Sequence, residues 1–240
     1  MQSTNSNDSE LLHHTSCKCG SSDGRAVYSD GGSWCFVCNN YEKVGSTMQT
    51  EFVQSKPASG LLPYGTPTSL AKRKITEETC KKFGYTVGEM SGSPVQIANY
   101  RDRQGNVVAQ KVRGADKSFK FLGDAKSAGL FGQNLWREGG RMLVIVEGEI
   151  DALSMSQVQG NKFPVVSVNS GSAGAKRCIE RELMFVESFD KVVLMFDNDE
   201  AGRQGAMEVA QLLTPAKAHI ATLELKDPNE MLVAGKAQEL

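Results

Sequence analysis

The feature that most constrains the fold is an alternation of apolar strand-like runs with helical segments after Trp136. The predicted strands are Leu143–Val146, Val165–Val168, Val192–Phe196 and His219–Leu223. The predicted helices between them are Ile150–Val158, residues 174–187 and Ala201–Leu213. Strands joined through helices form a mostly parallel sheet with helices on its faces. In such sheets, binding sites form beyond the carboxyl ends of the strands.

Acidic residues follow three of the predicted strands. Glu147 comes directly after the first strand, with Asp151 one helical turn later, and Asp197 and Asp199 follow the third. Asp227 lies in a further acidic cluster after Leu223–Leu225. Any one of these acids is explained equally well as a helix cap or first-turn residue. Several clusters at one sheet edge would repel each other without bound cations, which favours a magnesium or manganese site.

The cysteines at the N-terminal end have the spacing C-x-C-x15-C-x2-C, formed by Cys17, Cys19, Cys35 and Cys38. Residues 11–40 are too short to build an apolar core, so a zinc ion is expected to hold them together. The predicted hairpin strands, Val27-Tyr28 and Trp34–Phe36, would join two zinc knuckles. The short spacing of the first knuckle leaves the fourth ligand open between a cysteine and the neighbouring His13 or His14.

The rest of the chain gives weaker signals. Residues 1–10 are polar and expected to be disordered, and the Gly- and Pro-containing residues 41–70 are typical of a linker. A helix is predicted from Thr76 to Gly84, followed by strands at Val95–Tyr100 and Val107–Arg113. No apolar run reaches membrane-spanning length and no signal peptide is recognisable, which predicts a cytoplasmic protein.

Charge is distributed unevenly although the net charge is only -1. Basic residues dominate between positions 111 and 141, and they are Lys111, Arg113, Lys117, Lys120, Lys126, Arg137 and Arg141. A basic band beside an acidic centre suits phosphate chemistry with metal ions, whereas by itself it is equally typical of a solvated surface.

Two motifs identify a family. Glu147-Gly148-x-x-Asp151 and Asp197-x-Asp199-x-x-Gly202-Arg203 resemble the two signatures of the Toprim domain, found in bacterial-type primases, topoisomerases and some nucleases. The wider chain, from about residue 11 to 230, resembles the primase half of the primase–helicases of T-odd tailed bacteriophages. The matching stretches are Cys19–Gly24, Tyr100–Asp102, Gly105-Asn106, Lys111–Arg113, Leu130–Gly132, Val146–Asp151, Leu194–Arg203 and Lys226-Asp227.

The resemblance implies an α/β fold in several parts. These are a zinc ribbon at 11–40, a flexible linker at 41–70, an α+β subdomain of an RNA polymerase core at 71–140, and a Toprim subdomain with a Rossmann-like, mostly parallel sheet at 141–240. It implies a DNA primase that makes short RNA primers on single-stranded DNA by metal-dependent nucleotidyl transfer during phage replication. The implied partners are the template, ribonucleoside triphosphates, a replicative helicase (fused or separate) and a DNA polymerase, in the cytoplasm of the infected bacterium.

The resemblance also implies residue roles. Glu147 would act as general base or orient the 3′-hydroxyl, and Asp197 and Asp199 would hold catalytic Mg²⁺ or Mn²⁺ with help from Glu147 and Asp227. Lys111 and Lys117, also implied to belong to the catalytic site, would contact nucleotide phosphates or the template backbone. The further nucleotide- or DNA-binding candidates are Arg113, Arg203 and Trp34. One structural Zn²⁺ would be held by Cys17, Cys19, Cys35 and Cys38, in a ribbon that reads the template sequence.

Two other functions fit part of the pattern. A Toprim nuclease would use the same carboxylates to cut DNA. A zinc-dependent single-strand-binding module would stack bases on Tyr28, Trp34 and Phe36, although bare carboxylates repel phosphate. The chain contains no GxxxxGK[ST] loop, so the residues present are not expected to include a helicase motor.

Overall fold

A computed structural model describes residues 10–29, 31–38, 40–43, 60–116 and 118–240. The chain divides into two compact units, an N-terminal unit of Met1–Val53 and a C-terminal unit of Gln54–Leu240. The disorder expected for residues 1–10 falls on positions outside the described residues, apart from Glu10. No helix of the described part combines the length and the apolar character needed to cross a membrane.

The N-terminal unit contains an antiparallel sheet with the order β1-β2-β3-β4. Its strands are β1 (Leu11–Thr15), β2 (Arg25–Tyr28), β3 (Gly32–Cys35) and β4 (Tyr41–Lys43). The pairing of β2 with β3 is the hairpin expected between the cysteine knuckles, and β1 and β4 extend it on either side. Strand β4 lies in the segment that the sequence analysis assigned to the linker.

The C-terminal unit begins with residues that the sequence analysis also assigned to the linker. Gln110 accepts a hydrogen bond from the Leu62 backbone N–H at 2.8 Å and donates one to the Leu62 carbonyl at 3.1 Å. Thr66 pairs with Val87, and Leu70 is buried in the core. Residues 62–70 are therefore held on the C-terminal unit, while residues 44–59 of the expected linker lie outside the described part.

An antiparallel sheet follows the predicted helix. Helix α1 (Glu77–Phe83) is capped by the Thr76 hydroxyl, and it ends at Gly84, whose φ of 66° suits glycine. The sheet has the order β5-β6-β7-β8, with strands β5 (Tyr85–Met90), β6 (Ser93–Arg101), β7 (Val107–Arg113) and β8 (Phe119–Gly123). Strands β6 and β7 confirm the two predicted strands, whereas β5 and β8 were not predicted.

The alternating region forms the expected parallel sheet, with the order β10-β9-β11-β12. Its strands are β9 (Gly140–Val146), β10 (Val165–Ser167), β11 (Phe189–Met195) and β12 (Ala218–Ile220). Its helices are α2 (Glu149–Val158), α3 (Ser172–Arg181), α4 (Leu183–Glu187), α5 (Glu200–Ala210) and α6 (Pro228–Val233). The helix predicted over 174–187 is interrupted at Glu182, which has φ −108° and ψ 20°.

The carboxyl halves of β9 and β11 are largely buried on both faces of the parallel sheet, which explains the apolar runs Leu143–Val146 and Val192–Met195. Val144 and Val146 of β9 pack into a core that also contains Leu153 of α2 and Tyr100 of β6, so α2 packs against this face and the antiparallel sheet shares its core. Leu143 and Ile145 point the other way into a second core that includes residues of α3 and α5. Both cores hold the carboxyl ends of β9 and β11 in place.

Candidate active site and metal centre

The predicted acids lie at the carboxyl edge of the parallel sheet. Val146, the last residue of β9, pairs with Met195, the last residue of β11. Glu147 directly follows the first of these, and Asp197 follows the second by one intervening residue. Because the two strands are hydrogen-bonded neighbours, Glu147 and Asp197 emerge side by side. We call these residues, together with Asp199 and Asp227, the acidic edge.

Two of the predicted metal ligands also cap helices. Asp199 accepts a hydrogen bond from the Gly202 N–H at 2.9 Å at the start of α5. Asp227 accepts one from the Glu230 N–H at 2.7 Å at the start of α6. The capping role and the metal role are therefore compatible, because a carboxylate has several acceptor positions.

The glycine of the second motif allows a close approach. A Cβ added at Gly202 would lie 2.1 Å from the carbonyl oxygen of Asp197, closer than real contacts allow. Glycine at this position therefore lets α5 begin directly against the end of the preceding strand. This close packing gives a physical reason for the spacing between Asp197, Asp199 and Gly202.

The acids perturb one another's titration. Burial, followed by the charge of Glu147, raises the pKa of Asp197 to about 6, although Lys226 opposes the shift from 3.2 Å. Burial, then the charges of Asp227 and Asp197, hold the pKa of Asp151 well above its usual range. The carboxylates at this edge of the sheet therefore carry more negative charge than nearby cations such as Lys226 balance.

The carboxylate chemistry of these residues suits a divalent cation, but among the described residues only the four cysteines lie close enough together to form a ready-made group of metal ligands. Glu147 Oε2 is buried and accepts no hydrogen bond from the described residues, so an acceptor is left free at the acidic edge. Its other oxygen, Oε1, would lie 3.4 Å from a Cβ at Gly171, which shows how closely the loop after β10 approaches. Hard carboxylate oxygens are the ligands that Mg²⁺ and Mn²⁺ prefer.

The pKa of Asp197 predicts how stability depends on pH in the absence of divalent cations. Its folded-state pKa of about 6 lies above the ordinary 3.8, so the folded protein binds more protons than the unfolded chain between these values. The contribution of Asp197 to the free energy of unfolding therefore falls as pH rises through that window. We expect Asp197→Asn to raise the melting temperature of the magnesium-free protein above pH 6, with a smaller gain near pH 4.

Differential scanning calorimetry in magnesium-free buffer measures this effect. The matched control is Asp190→Asn, at an exposed position near the amino end of β11, which should leave the melting temperature unchanged. A lower melting temperature for Asp197→Asn than for the wild type at neutral pH would show that the acidic edge is not under electrostatic strain.

Lys111 is engaged by a buried carboxylate that the sequence analysis missed. Its Nζ lies 2.9 Å from Glu149 Oε1 and 3.3 Å from the carbonyl oxygen of Asn169. The Tyr100 hydroxyl donates to the same Glu149 oxygen, and Glu149 is only 7% exposed. The second acid in Glu147-Gly148-Glu149 was the available signal, but only the structure shows which cation it pairs with.

The other predicted binding residues have different surroundings. Arg113 lies on the same face of β7 as Lys111, with its Cζ 5.2 Å from the ring centroid of Phe119. Arg203 is half-exposed and contacts Glu200 at 3.4 Å and Asn198 at 3.3 Å. Trp34 lies in β3 of the N-terminal unit, where its buried indole N–H finds no acceptor among the described residues. Lys117 lies outside the described residues.

The four cysteines come together in the N-terminal unit. Their sulfur atoms all lie within 4.8 Å of one another, with 3.6 Å between Cys17 and Cys38 and 3.7 Å between Cys19 and Cys35. A tetrahedral zinc site with bonds of about 2.3 Å has ligand–ligand distances of about 3.8 Å, so the cluster fits zinc. In the described part, no His, Asp or Glu joins this group, so Cys17 and not a histidine is the candidate for the fourth ligand.

Arg25 links the cysteine cluster to β4. It is buried, donates to Cys17 Sγ at 3.4 Å, and forms an ion pair with Glu42. The pKa of Cys17 is lowered to about 6, first by a hydrogen bond from the Cys19 backbone and then by Arg25. These contacts favour the thiolate, which is the form that binds metal.

Comparison with known proteins agrees with this geometry. Residues 65–123 match the family model described as bacteriophage T7 DNA helicase/primase, N-terminal a+b fold, and residues 144–232 match a Toprim-like model. The crystal structure of the primase fragment of the bacteriophage T7 primase–helicase is 39% identical, with a TM-score of 0.70 over 96% of this chain and 98% of that one. The chain belongs to the bacteriophage primase–helicase family. Within the family, it corresponds to the primase fragment.

Two further relatives support the assignment. The DNA helicase/primase of Enterobacteria phage T3 is 39% identical over 95% of this chain, which spans 42% of the length of that relative. A second T7 structure shows the lagging-strand DNA polymerase interacting with primase domains of two gp4 subunits bound to an RNA/DNA hybrid and dTTP. It is 43% identical, with a TM-score of 0.70 over 73% of this chain and 89% of that one.

Proposed function

We propose that this chain is a DNA primase, which synthesises short RNA primers from ribonucleoside triphosphates on single-stranded DNA during phage replication. The observation that carries the proposal is the acidic edge, where Glu147 and Asp197 follow paired parallel strands and leave a buried carboxylate oxygen free. We place this activity in the cytoplasm of the infected bacterium, as the kinship with phage replication proteins supports.

An enzyme catalyses nucleotidyl transfer mostly by positioning the reacting groups and neutralising the charge on the phosphate. Asp197 and Asp199, with Glu147 and Asp227, would hold Mg²⁺ or Mn²⁺, which neutralises charge on the reacting phosphate when bound. Glu147 has the free acceptor needed to orient the primer 3′-hydroxyl or to take its proton. A bound cation would relieve the repulsion between these carboxylates, so the repulsion favours cation binding.

Basic residues beside the acidic edge would hold phosphates. Lys111 is fixed in place by Glu149, so its charge is already oriented before substrate binds. Arg113 and the half-exposed Arg203 have guanidinium groups suited to phosphate or template backbone. For Lys117 the same role is proposed from the sequence alone.

The N-terminal unit would be a structural zinc ribbon that reads the template. Phe36, between the last two cysteines, is 49% exposed and is available for contact with bases, and the partly buried Trp34 is proposed to contribute beside it. A replicative helicase and a DNA polymerase are proposed as partners, since the T3 relative is a helicase/primase and the T7 relative is seen with a DNA polymerase.

One reaction distinguishes this function from its alternatives. The protein is incubated with Mg²⁺, radiolabelled ribonucleoside triphosphates and end-labelled single-stranded DNA of mixed sequence. A primase makes short labelled RNA and leaves the DNA intact, whereas a nuclease shortens the DNA and a binding module does neither. Shortened DNA without RNA would overturn the proposal.

A further inference from the structure

We propose that Phe119 and Phe121 form a stacking platform for unpaired bases of the template strand. This inference rests on the proposed primase function and extends it to a binding surface that lies outside the Toprim motifs. Both residues belong to β8, the edge strand of the antiparallel sheet.

The two rings lie on the same face of the sheet as the basic residues of β7. Phe119 is paired with Arg113, and Phe121 with Lys111. Phe119 is 57% exposed and Phe121 is 36% exposed. The opposite face of β8 instead carries Leu122, which packs against a small apolar core. The strand therefore partly buries Leu122 and leaves two aromatic rings at the surface.

Cations flank the more exposed ring. Lys111 Nζ lies 5.3 Å and Arg113 Cζ lies 5.2 Å from the centroid of Phe119. Both distances are within the range of cation–π attraction. Exposed aromatic rings next to positive charge are the combination that binds single-stranded nucleic acid, because bases stack on the rings and cations hold the phosphates.

The platform is connected to the acidic edge. Lys111 also pairs with Glu149, and the Phe121 ring packs 5.4 Å from that of Tyr100, whose hydroxyl donates to Glu149. Glu149 is two residues after Glu147 and begins α2. A base stacked on β8 would therefore lie beside the first turn of the helix that follows the proposed catalytic glutamate.

The surface favours template bases over the incoming nucleotide. Phenylalanine rings carry no hydrogen-bonding groups, so they hold any base, as a template of varying sequence requires. Side chains two residues apart on one strand are separated by about 6.6 Å, so each ring is placed to take a different base. The triphosphate of an incoming nucleotide is instead expected at the carboxylates, where divalent cations would bind.

Substitution of each ring tests the platform. We expect Phe119→Leu and Phe121→Leu to weaken binding of mixed-sequence single-stranded DNA by roughly 5- to 150-fold each, the range for losing one base–aromatic stack. Phe119→Trp should retain wild-type affinity because it keeps an aromatic face. The matched control is Phe163→Leu, at a position before β10 that is also 57% exposed, and its affinity should be unchanged. Fluorescence anisotropy gives the affinities.

Salt dependence separates stacking from charge. Phe119→Leu should leave the slope of log affinity against log salt unchanged, whereas Arg113→Gln should reduce its magnitude by about 0.7, the value for one phosphate contact on a single strand. Unchanged DNA affinity in the Phe119→Leu/Phe121→Leu double variant overturns the platform. A raised KM for ribonucleotides with unchanged DNA affinity in this double variant also overturns the platform, because the rings would then bind the base of the incoming nucleotide.

The primase proposal is tested separately by primer synthesis. If the ring substitutions weaken DNA binding but the wild-type protein makes no RNA, the platform is supported and the primase function is rejected. If the double variant makes primers at the wild-type rate and with the wild-type KM for template, the primase function is supported and the platform is rejected.

Discussion

Asp197→Asn is expected to reduce the rate of primer synthesis by roughly 10²–10³-fold, the usual cost of removing one preorganised electrostatic contact from a catalytic site. The substitution preserves shape but removes a charge from the edge where Glu147 and Asp197 already repel each other. Single-turnover assays with saturating template and nucleotide measure the catalytic step directly.

DNA binding should respond differently to the same substitution. Removing a carboxylate that repels phosphate should leave affinity for single-stranded DNA unchanged or tighten it. The exposed Asp190→Asn variant is the control and should match the wild type in both measurements. Synthesis by Asp197→Asn within a few-fold of the wild type would remove Asp197 from the catalytic site.

Loss of zinc is expected to unfold the sheet of the N-terminal unit. Cys35 is the fully buried member of the cysteine cluster, so Cys35→Ser should abolish zinc binding. Zinc contributes about 10–16 kcal/mol to the folding of zinc-finger peptides, far more than this small unit can replace by apolar burial. We expect one zinc per wild-type chain, none in the variant, and rapid proteolysis of residues 11–43 in the variant alone.

The C-terminal unit provides the control for this experiment. It has its own cores, so its protease-resistant fragment should persist in Cys35→Ser. Cys80→Ala, which replaces a buried cysteine of that unit, should keep its zinc. Zinc-free wild-type protein with an intact N-terminal unit would contradict the assignment of the cysteines. We further expect Cys35→Ser to join nucleotides weakly, without preference for a template sequence.

Much of the fold was predictable because strong local patterns determine it. The central strands β9 and β11 are largely buried toward their carboxyl ends and are apolar there, and helix α1 has a capping threonine and a terminal glycine. Strand β8 was missed because its alternation of apolar and polar residues is confined to Phe119, Lys120 and Phe121, a run too short to predict a strand. Strand β4 is too short to give a pattern in a segment with several glycines and prolines.

The candidate site was predictable where its residues adjoin strand ends. Glu147, Asp197 and Asp227 could be assigned to one edge because parallel strands share their carboxyl side. The contact of Lys111 in β7 with Glu149 at the start of α2 joins segments far apart in the chain and leaves no spacing signal in the sequence. The link from Arg25 to Cys17 was missed for the same reason, since it depends on how β2 packs against the first cysteine knuckle.

If the acidic edge joins ribonucleotides under the direction of a template, the products must be complementary to that template. Their sequence can be determined after synthesis on a defined single-stranded DNA with Mg²⁺ and all four ribonucleoside triphosphates. We expect short, alkali-labile RNA complementary to the template from the wild type and almost none from Glu147→Gln. Products unrelated to the template, or equal yields from Glu147→Gln, would contradict this expectation.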